Sequence, residues 1–285
     1  MRFRPLLLLG LASLTLAASA WAADKSGYWL FSPTPEALMR EFDTDRPDKT
    51  NSPHTLDAGH VQLEMDLFAL SHDRHNPERS PTQVENWTWA NANIRVGVTN
   101  WADLQLLLTF YQMNREKDLP TGDLTRKAGI GDFTAVLKMN FWGNDGGKTA
   151  GGLEFFVKAP TATHGLGNGR VEGGELLLFG AELPGDFELG INSGVTINAN
   201  DSDNGHHAEI INSASVSRKI YGPLSAYAEF FSDVNTQHGA PWVGTVDLGF
   251  LLMLGKNVQL DTGVNLGVTR AAPDVQTFVG LSIRF

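Results

Sequence analysis

Polar side chains, many of them charged, recur at every second position along much of the chain, and apolar side chains fill the positions between them. In residues 57–70, for example, Glu64 and Asp66 alternate with Leu63 and Met65. A β-strand with this period presents one charged face and one apolar face. Charges on such a face could bind ions, line a route for solutes, or pair with one another to hold a wall together.

The predicted charged face carries both signs, with acids more frequent than bases. If this face lines an open lumen, the excess of acids predicts a preference for cations over anions. Paired charges that only stabilise the wall are the structural alternative, because buried charges must be paired. The candidate lumen-lining residues are His60, Glu64, Asp66, Arg95, Asp132, Lys138, Glu154, Lys158, Glu188, Glu229, Asp247, Asp261 and Arg284.

Other kinds of chemistry find less support in the composition. The 285 residues include no Cys, which excludes disulfides, thiolate metal sites and Cys nucleophiles. A net charge of −10 argues against a nucleic-acid partner. Ser213, Ser215 and Ser217 alternate without a placed His, and no G-x-S-x-G motif occurs. We therefore predict that the protein is not an enzyme and that it has no cofactor.

Histidines are concentrated in the predicted outer loops. The adjacent His206 and His207, together with Asp201 and Asp203, could bind a metal ion. Their spacing is irregular, so solvated loop side chains are the favoured interpretation and no metal site is predicted. The loop histidines are His72, His75, His164, His206, His207 and His238.

The alternating segments predict strands that cross a membrane. About 12 segments of about 10–13 residues each follow one another over residues 57–285, near the length of a tilted bilayer-spanning strand. A soluble sandwich also alternates, but its strands are usually shorter. The connections alternate between short ones, such as residues 99–100, and longer polar ones, such as residues 114–127, as in outer-membrane barrels. Because every backbone polar group in hydrocarbon must be paired, the strands must close on themselves. The predicted fold is an all-β, closed antiparallel transmembrane β-barrel of about 12 strands.

The two ends of the chain indicate its location. A basic start, an apolar stretch at Leu6–Ala18 and the small residues Ala20 and Ala22 predict a signal peptide over residues 1–22. Residues 23–56 are then a short N-terminal periplasmic segment or plug, and residues 57–285 are the barrel. The terminal Phe285 resembles the signal by which barrel-assembly machinery recognises outer-membrane proteins. We therefore predict integral insertion in the bacterial outer membrane, with outer-membrane lipids and this machinery as partners.

A motif before the first strand points to a family. Residues 45–64 read D-R-P-D-K-T-N-S-P-H-T-L-D-A-G-H-V-Q-L-E, and further matches lie at Gly97–Leu104 and Gly129–Asp132. On these residues the chain resembles an outer-membrane transporter family associated with a phenol meta-degradation pathway, although Asn51 stands where an acidic residue is common. The resemblance implies a small barrel that imports hydrophobic or aromatic solutes. The motif residues are Asp45, Arg46, Pro47, Asp48, Ser52, Pro53, Asp57 and Gly59.

The same motif has a physical interpretation. Pro47 and Pro53 cannot donate a backbone hydrogen bond, so residues 45–53 are not expected to form a spanning strand. The segment precedes the first strand at the periplasmic mouth, and its charges could dock into the lumen as a plug. A loosely ordered leader is the alternative. The predicted function is passage of small solutes, hydrophobic or aromatic compounds among them, across the outer membrane. A non-conducting binding or scaffold barrel with functional outer loops is the other hypothesis.

Overall fold

The computed structural model describes residues 24–74, 76, 79–200 and 203–285. The predicted signal peptide and the loop residues His75 and Asp201 lie outside these ranges. In the described residues a single short 3-10 turn, Glu36–Leu38, precedes the strands. The strands are β1 (Val61–Asp73), β2 (Thr82–Thr99), β3 (Ala102–Asp118), β4 (Leu124–Gly129), β5 (Phe133–Trp142), β6 (Thr149–Ala159), β7 (Glu172–Leu183), β8 (Phe187–Ala199), β9 (His206–Tyr221), β10 (Leu224–Asn235), β11 (Val243–Met253), β12 (Val258–Gly267) and β13 (Val275–Arg284).

The strands form one closed antiparallel sheet. β1 pairs with β2 on one side and with β13 on the other, which closes the barrel. β5 pairs with the inner half of β3, up to Leu108, whereas β4 pairs only with the outer half, from Gln112 to Lys117. The result is a closed barrel of 12 strands with β4 as an extra strand, which confirms the predicted fold.

One predicted loop is wrong. The long connection expected over residues 114–127 instead contains the outer end of β3 and the first part of β4, joined by a turn with Gly122 at φ 78°. This part of β3 and β4 extends beyond the membrane, where water surrounds the sheet. No apolar face is required there, so the alternating pattern disappears. The strand pairing is nevertheless complete from Gln112↔Gly129 to Lys117↔Leu124.

The polarity of the barrel is the reverse of that of a soluble domain. Glu64, Arg95 and Lys138 are at most 2% exposed and face inward, whereas Leu104 and Phe250 are 49% and 53% exposed on the outer wall. An apolar outer surface around a polar interior suits a wall surrounded by lipid. Among the described residues, no helix has the length and hydropathy needed to cross a membrane.

The alternation reverses at one level of the wall. At this level of β1, β2 and β3, two residues instead of one lie between successive inward positions. The register pairing of these strands skips Leu67, Ala90 and Phe110. Ala90 has a positive φ of 50°, and the pairing of β1 with β13 shifts register at the same level. Such bulges redirect every side chain beyond them. They therefore determine which residues of β1–β3 line the outer half of the lumen.

Candidate functional site

A non-strand segment before β1 fills the inner half of the lumen. We call residues Asp43–Leu56 the plug. Its Pro47 and Pro53 carry no N–H, so the segment cannot add a complete strand to the sheet. Its polar groups instead bond to inward side chains all around the wall, from Glu64 on β1 to Asp261 on β12.

Asp45 is the centre of the largest charged cluster. Its carboxylate contacts Lys138 Nζ and lies 3.3 Å from Arg95 Nη1. Arg95 also lies 3.0 Å from both Glu64 and Asp103, while Lys138 lies 3.0 Å from Glu154. Lys138 donates a second bond of 2.8 Å to the backbone oxygen of Ser52. Wall and plug thus share one network in which each buried cation has several anionic partners.

The two cations of the plug meet acids of the opposite wall. The guanidinium of Arg46 lies 2.7 Å from Asp66 and 2.7 Å from Asp261. Lys49 Nζ lies 2.9 Å from Asp247, and its backbone N–H donates to Glu229 at 2.9 Å.

Without the plug, the wall would hold an excess of acids in the lumen. Arg46 and Lys49 of the plug pair with acids of the wall, and Asp45 of the plug pairs with the wall cations Arg95 and Lys138, so the charges of plug and wall are complementary residue by residue.

Uncharged polar groups, and a glycine in the wall, complete the fit between the plug and the wall. Thr50 donates from Oγ1 to Ser213 Oγ at 2.8 Å. Asn51 and Asn192 exchange two bonds, of 2.6 and 3.0 Å. A Cβ on Gly280 would lie 2.1 Å from the guanidinium of Arg46, so only glycine leaves room for that side chain.

A leader before the plug clamps the periplasmic mouth. Asp57, which is 1% exposed, pairs with Lys25 at 3.1 Å and accepts the backbone N–H of Arg40 at 2.9 Å. Arg284 donates to the backbone oxygen of Arg40 at 3.0 Å. The side chain of His60 lies between the backbone oxygens of Thr34, at 2.7 Å, and Phe285, at 3.0 Å. His60 and Arg284 therefore hold the leader at the mouth of the barrel.

Gly59, a motif residue, stands where the leader crosses the chain before β1. Its φ is 78°, and a Cβ there would lie 2.6 Å from Pro33. This close approach explains why glycine occupies the position.

Three of the predicted lumen residues lie away from the plug. Lys158 lies 3.4 Å from Asp132 and 2.6 Å from Glu172 at the outer end of the wall, where Asp132 also accepts the N–H of Ala162 in the β6–β7 loop. Glu188 is exposed and accepts a bond of 3.3 Å from Ser217. Apart from His60 and Arg284 at the mouth, the other predicted wall acids and bases converge on the plug.

Several residues of the site are absent from the predicted sets of lumen-lining and motif residues. Lys49, Thr50 and Asn51 lie within the motif, and Asp103 and Asn192 are inward residues of β3 and β8. Their position on the polar face was the available signal. Among the described residues, no group of three or more His, Asp or Glu side chains is arranged to hold a metal ion.

The ionisation of the plug predicts a pH dependence. Burial raises the pKa of Asp48 to about 7; a hydrogen bond with Ser215 opposes this rise, and the carboxylates of Asp45 and Asp43 add to it. Burial lowers the pKa of His54, but Asp43, 3.0 Å from its Nδ1, raises it to a net value above the ordinary one. When docking raises the pKa of a carboxyl, the neutral carboxyl docks more tightly than the ionised carboxylate. When docking raises the pKa of a histidine, the protonated histidine docks more tightly than the neutral one. Both groups therefore strengthen docking as the pH falls.

We expect solute flux to decrease when the pH is lowered from about 8 to about 6, which spans the pKa of docked Asp48. Asp48→Asn should remove most of this dependence, because the asparagine is neutral throughout. Flux through vesicles containing the wild type and the variant measures both effects. Flux that increases on acidification, or an unchanged profile in the variant, would contradict the assignment.

Three solved structures are similar to this chain to different degrees. The COG4313 outer membrane channel from Pseudomonas putida F1 is 10% identical, with a TM-score of 0.62 over 85% of this chain and 100% of that chain. The transport unit of the autotransporter AIDA-I from Escherichia coli is 12% identical, with a TM-score of 0.47 over 79% of this chain and 89% of that chain. The CymD monoaromatic hydrocarbon channel is 10% identical, with a TM-score of 0.38 over 79% and 87%.

The first of these similarities supports the fold. The closed barrel with an apolar outer wall is an integral protein of the bacterial outer membrane. No curated protein matches the sequence significantly. The sequence profile of one family matches residues 44–285, which include almost the whole plug and all the strands. The chain belongs to that family, which is described as "Putative MetA-pathway of phenol degradation".

Proposed function

We propose that the protein is a channel for small solutes across the outer membrane, opened by movement of the plug. The observation that carries this proposal is the way the plug is held. Arg46, Lys49 and Asp45 are bound to the wall by ion pairs and hydrogen bonds, all of which water can replace once the segment moves. The barrel itself needs no change in its strand pairing for this movement.

The family and the structural neighbour support the kind of solute. The description of the family refers to phenol degradation, and the Pseudomonas protein is called a channel. Small aromatic compounds are therefore the first solutes to test. Once the plug moves, Asp66, Asp247 and Asp261 lose their cationic partners, and this acidic lumen favours cations over anions.

An enzymatic role has little support from the placement of the serines. Ser213 and Ser215 face the plug, where Ser213 accepts a bond from Thr50 and Ser215 bonds with Asp48. They are 4% exposed, so lipid does not reach them. The proposed barrel is thus a passive route and not a lipid hydrolase.

Flux through liposomes that contain the full mature chain tests the proposal. The panel comprises phenol, benzoate, glucose, potassium and chloride, with vesicles that lack protein as the blank. We expect phenol to pass faster than glucose, and potassium to pass faster than chloride because of the acidic wall. A barrel that is folded, as judged by a mobility change on boiling, yet passes none of these solutes would instead support the non-conducting scaffold.

The partner in assembly is a proposal of the same kind. Phe285 is 69% exposed, and its N–H donates to Val61 at 2.8 Å, so its ring is free at the periplasmic edge of the β1–β13 seam. This position suits recognition of the terminal aromatic by barrel-assembly machinery.

A further inference from the structure

A cavity of about 470 Å³ lies in the outer half of the lumen, above the plug. This size falls within the range of pockets that hold small ligands. Its walls come from β1, β2, β3 and β13, just beyond the level at which the bulges redirect the side chains. The polar residues that line it are Ser71, Asn86, Thr88, Gln112, Asn114 and Gln276.

The chemistry of this lining is uniform. It consists of four carboxamides and two hydroxyls, with Ala69 and Leu166 as the apolar part, and no described lining residue is charged. Carboxamides offer both N–H donors and a C=O acceptor, and hydroxyls do the same. A bound molecule can therefore both donate and accept hydrogen bonds here, but it finds no counter-charge.

One lining group has unused hydrogen-bonding capacity. The Oδ1 atom of Asn114 is buried and has no hydrogen-bond partner, while its Nδ2 donates to Glu116 at 3.3 Å. A buried polar atom without a partner is costly, and a ligand donor would remove that cost. Asn114 therefore provides an acceptor that a solute can use.

Charged groups surround the cavity without entering it. Toward the periplasm the next inward residue of β1 is Asp66, which is already paired with Arg46 at 2.7 Å. Toward the outside a second cavity shares Asn86 and Asn114 but adds Arg79 and Glu116. Of these two, Arg79 lies 2.9 Å from Asp73.

The apolar side of the cavity is held in place by an outer loop. Leu166 belongs to the β6–β7 connection, where Thr163 donates its backbone N–H to Ile130 at 3.0 Å. Lys127 on β4 donates to the backbone oxygen of Gly165 at 3.3 Å. The extra strand therefore helps to hold Leu166 over the cavity, and gives the cavity one apolar surface opposite its amides.

From these features we infer that the outer cavity is a binding site for uncharged small solutes that carry hydroxyl or amide groups, an inference that rests on the solute passage proposed above. An ion that binds in the cavity loses hydration without gaining a partner of opposite charge, so it binds weakly. A purely apolar molecule leaves the amides unpaired and is rejected for the opposite reason.

Four probes of similar size separate these cases: benzyl alcohol, benzoate, benzylammonium and toluene. Binding to the full mature chain in lipid nanodiscs is measured by saturation-transfer NMR, with empty nanodiscs as the blank. We expect benzyl alcohol to bind at least about tenfold more tightly than either ion and more tightly than toluene after the blank is subtracted. Equal or tighter binding of either ion, or of toluene, would overturn the assignment.

Substitutions locate the binding. Asn114→Leu removes the free acceptor at nearly constant volume, and should weaken benzyl alcohol binding by about fivefold or more, as expected for one lost hydrogen bond. Asn86→Leu is a second cavity variant in case the first does not fold. Asn212→Leu is the matched control, because Asn212 is exposed on the outer wall, where it bonds to Ser193 at 2.8 Å. Unchanged affinity in both cavity variants would overturn the site.

Flux measured on the same proteins distinguishes the two proposals. Tight binding of benzyl alcohol without any flux would leave the cavity assignment standing and contradict the channel. Flux that continues unchanged without binding in the cavity would contradict the cavity assignment alone.

Discussion

Replacing Lys138 by Met is expected to raise solute flux strongly. Lys138 is fully buried, contacts Asp45 of the plug, and bonds to the backbone oxygen of Ser52 at 2.8 Å. In the docked state, loss of the Lys138 ammonium leaves the carboxylates of Asp45 and Glu154 buried with fewer partners. Once the plug moves, water reaches both carboxylates. Loss of one member of a buried ion pair costs about 3–5 kcal/mol, and about 3 kcal/mol shifts an equilibrium roughly 100-fold. The open fraction should rise by about that factor, measured as phenol and potassium flux.

A matched variant separates release of the plug from a general effect of lost charge. Lys158 is also a wall lysine between two acids, Asp132 and Glu172, but it lies at the outer end of the barrel and none of these contacts involves the plug. Lys158→Met should change flux by no more than about twofold. If Lys138→Met leaves flux unchanged while its barrel is folded, or if both variants raise flux equally, the plug is not the barrier.

Much of the barrel could be predicted because lipid imposes a simple rule on the outer wall. Residues such as Leu104 and Phe250 must be apolar wherever the wall meets hydrocarbon, so the strands repeat with a period of two. Beyond the membrane surface the wall no longer needs an apolar face, so the alternation ends there. For that reason the first part of β4 was predicted to be a loop. The alternation also stops at a bulge, where one additional residue such as Ala90 reverses the faces without any mark in the composition.

The charges of the lumen were predictable as a set, but their partners were not. Glu229 and Asp261 were placed on the inward face by alternation alone. Nothing in local sequence indicates that Lys49 lies opposite Asp247, since these residues are far apart in the chain and meet only after the barrel closes. Alternation is weak over residues 208–219, so the sequence leaves open which face of the wall carries Ser213, Ser215 and Ser217. Their contacts with the plug and with Glu188 show that they face inward.

The second large effect concerns a covalent tether between the plug and the wall. Thr50 Oγ1 and Ser213 Oγ are 2.8 Å apart, and both residues are buried. This proximity suits a disulfide in the double variant Thr50→Cys with Ser213→Cys. The natural chain contains no Cys, so no other disulfide can form. A control pair, Ser193→Cys with Asn212→Cys, joins residues directly opposite on β8 and β9 of the outer wall and leaves the plug free.

The most direct test of the gating plug is flux through the Thr50–Ser213 double variant before and after reduction. With the cross-link formed, as confirmed by mass spectrometry, we expect phenol and potassium flux to fall to the level of protein-free vesicles. A reducing agent should restore flux to at least the wild-type level, and the outer-wall control should respond to neither treatment. Equal flux in the cross-linked and reduced states would show that solutes pass without movement of the plug, and would contradict the proposed gate.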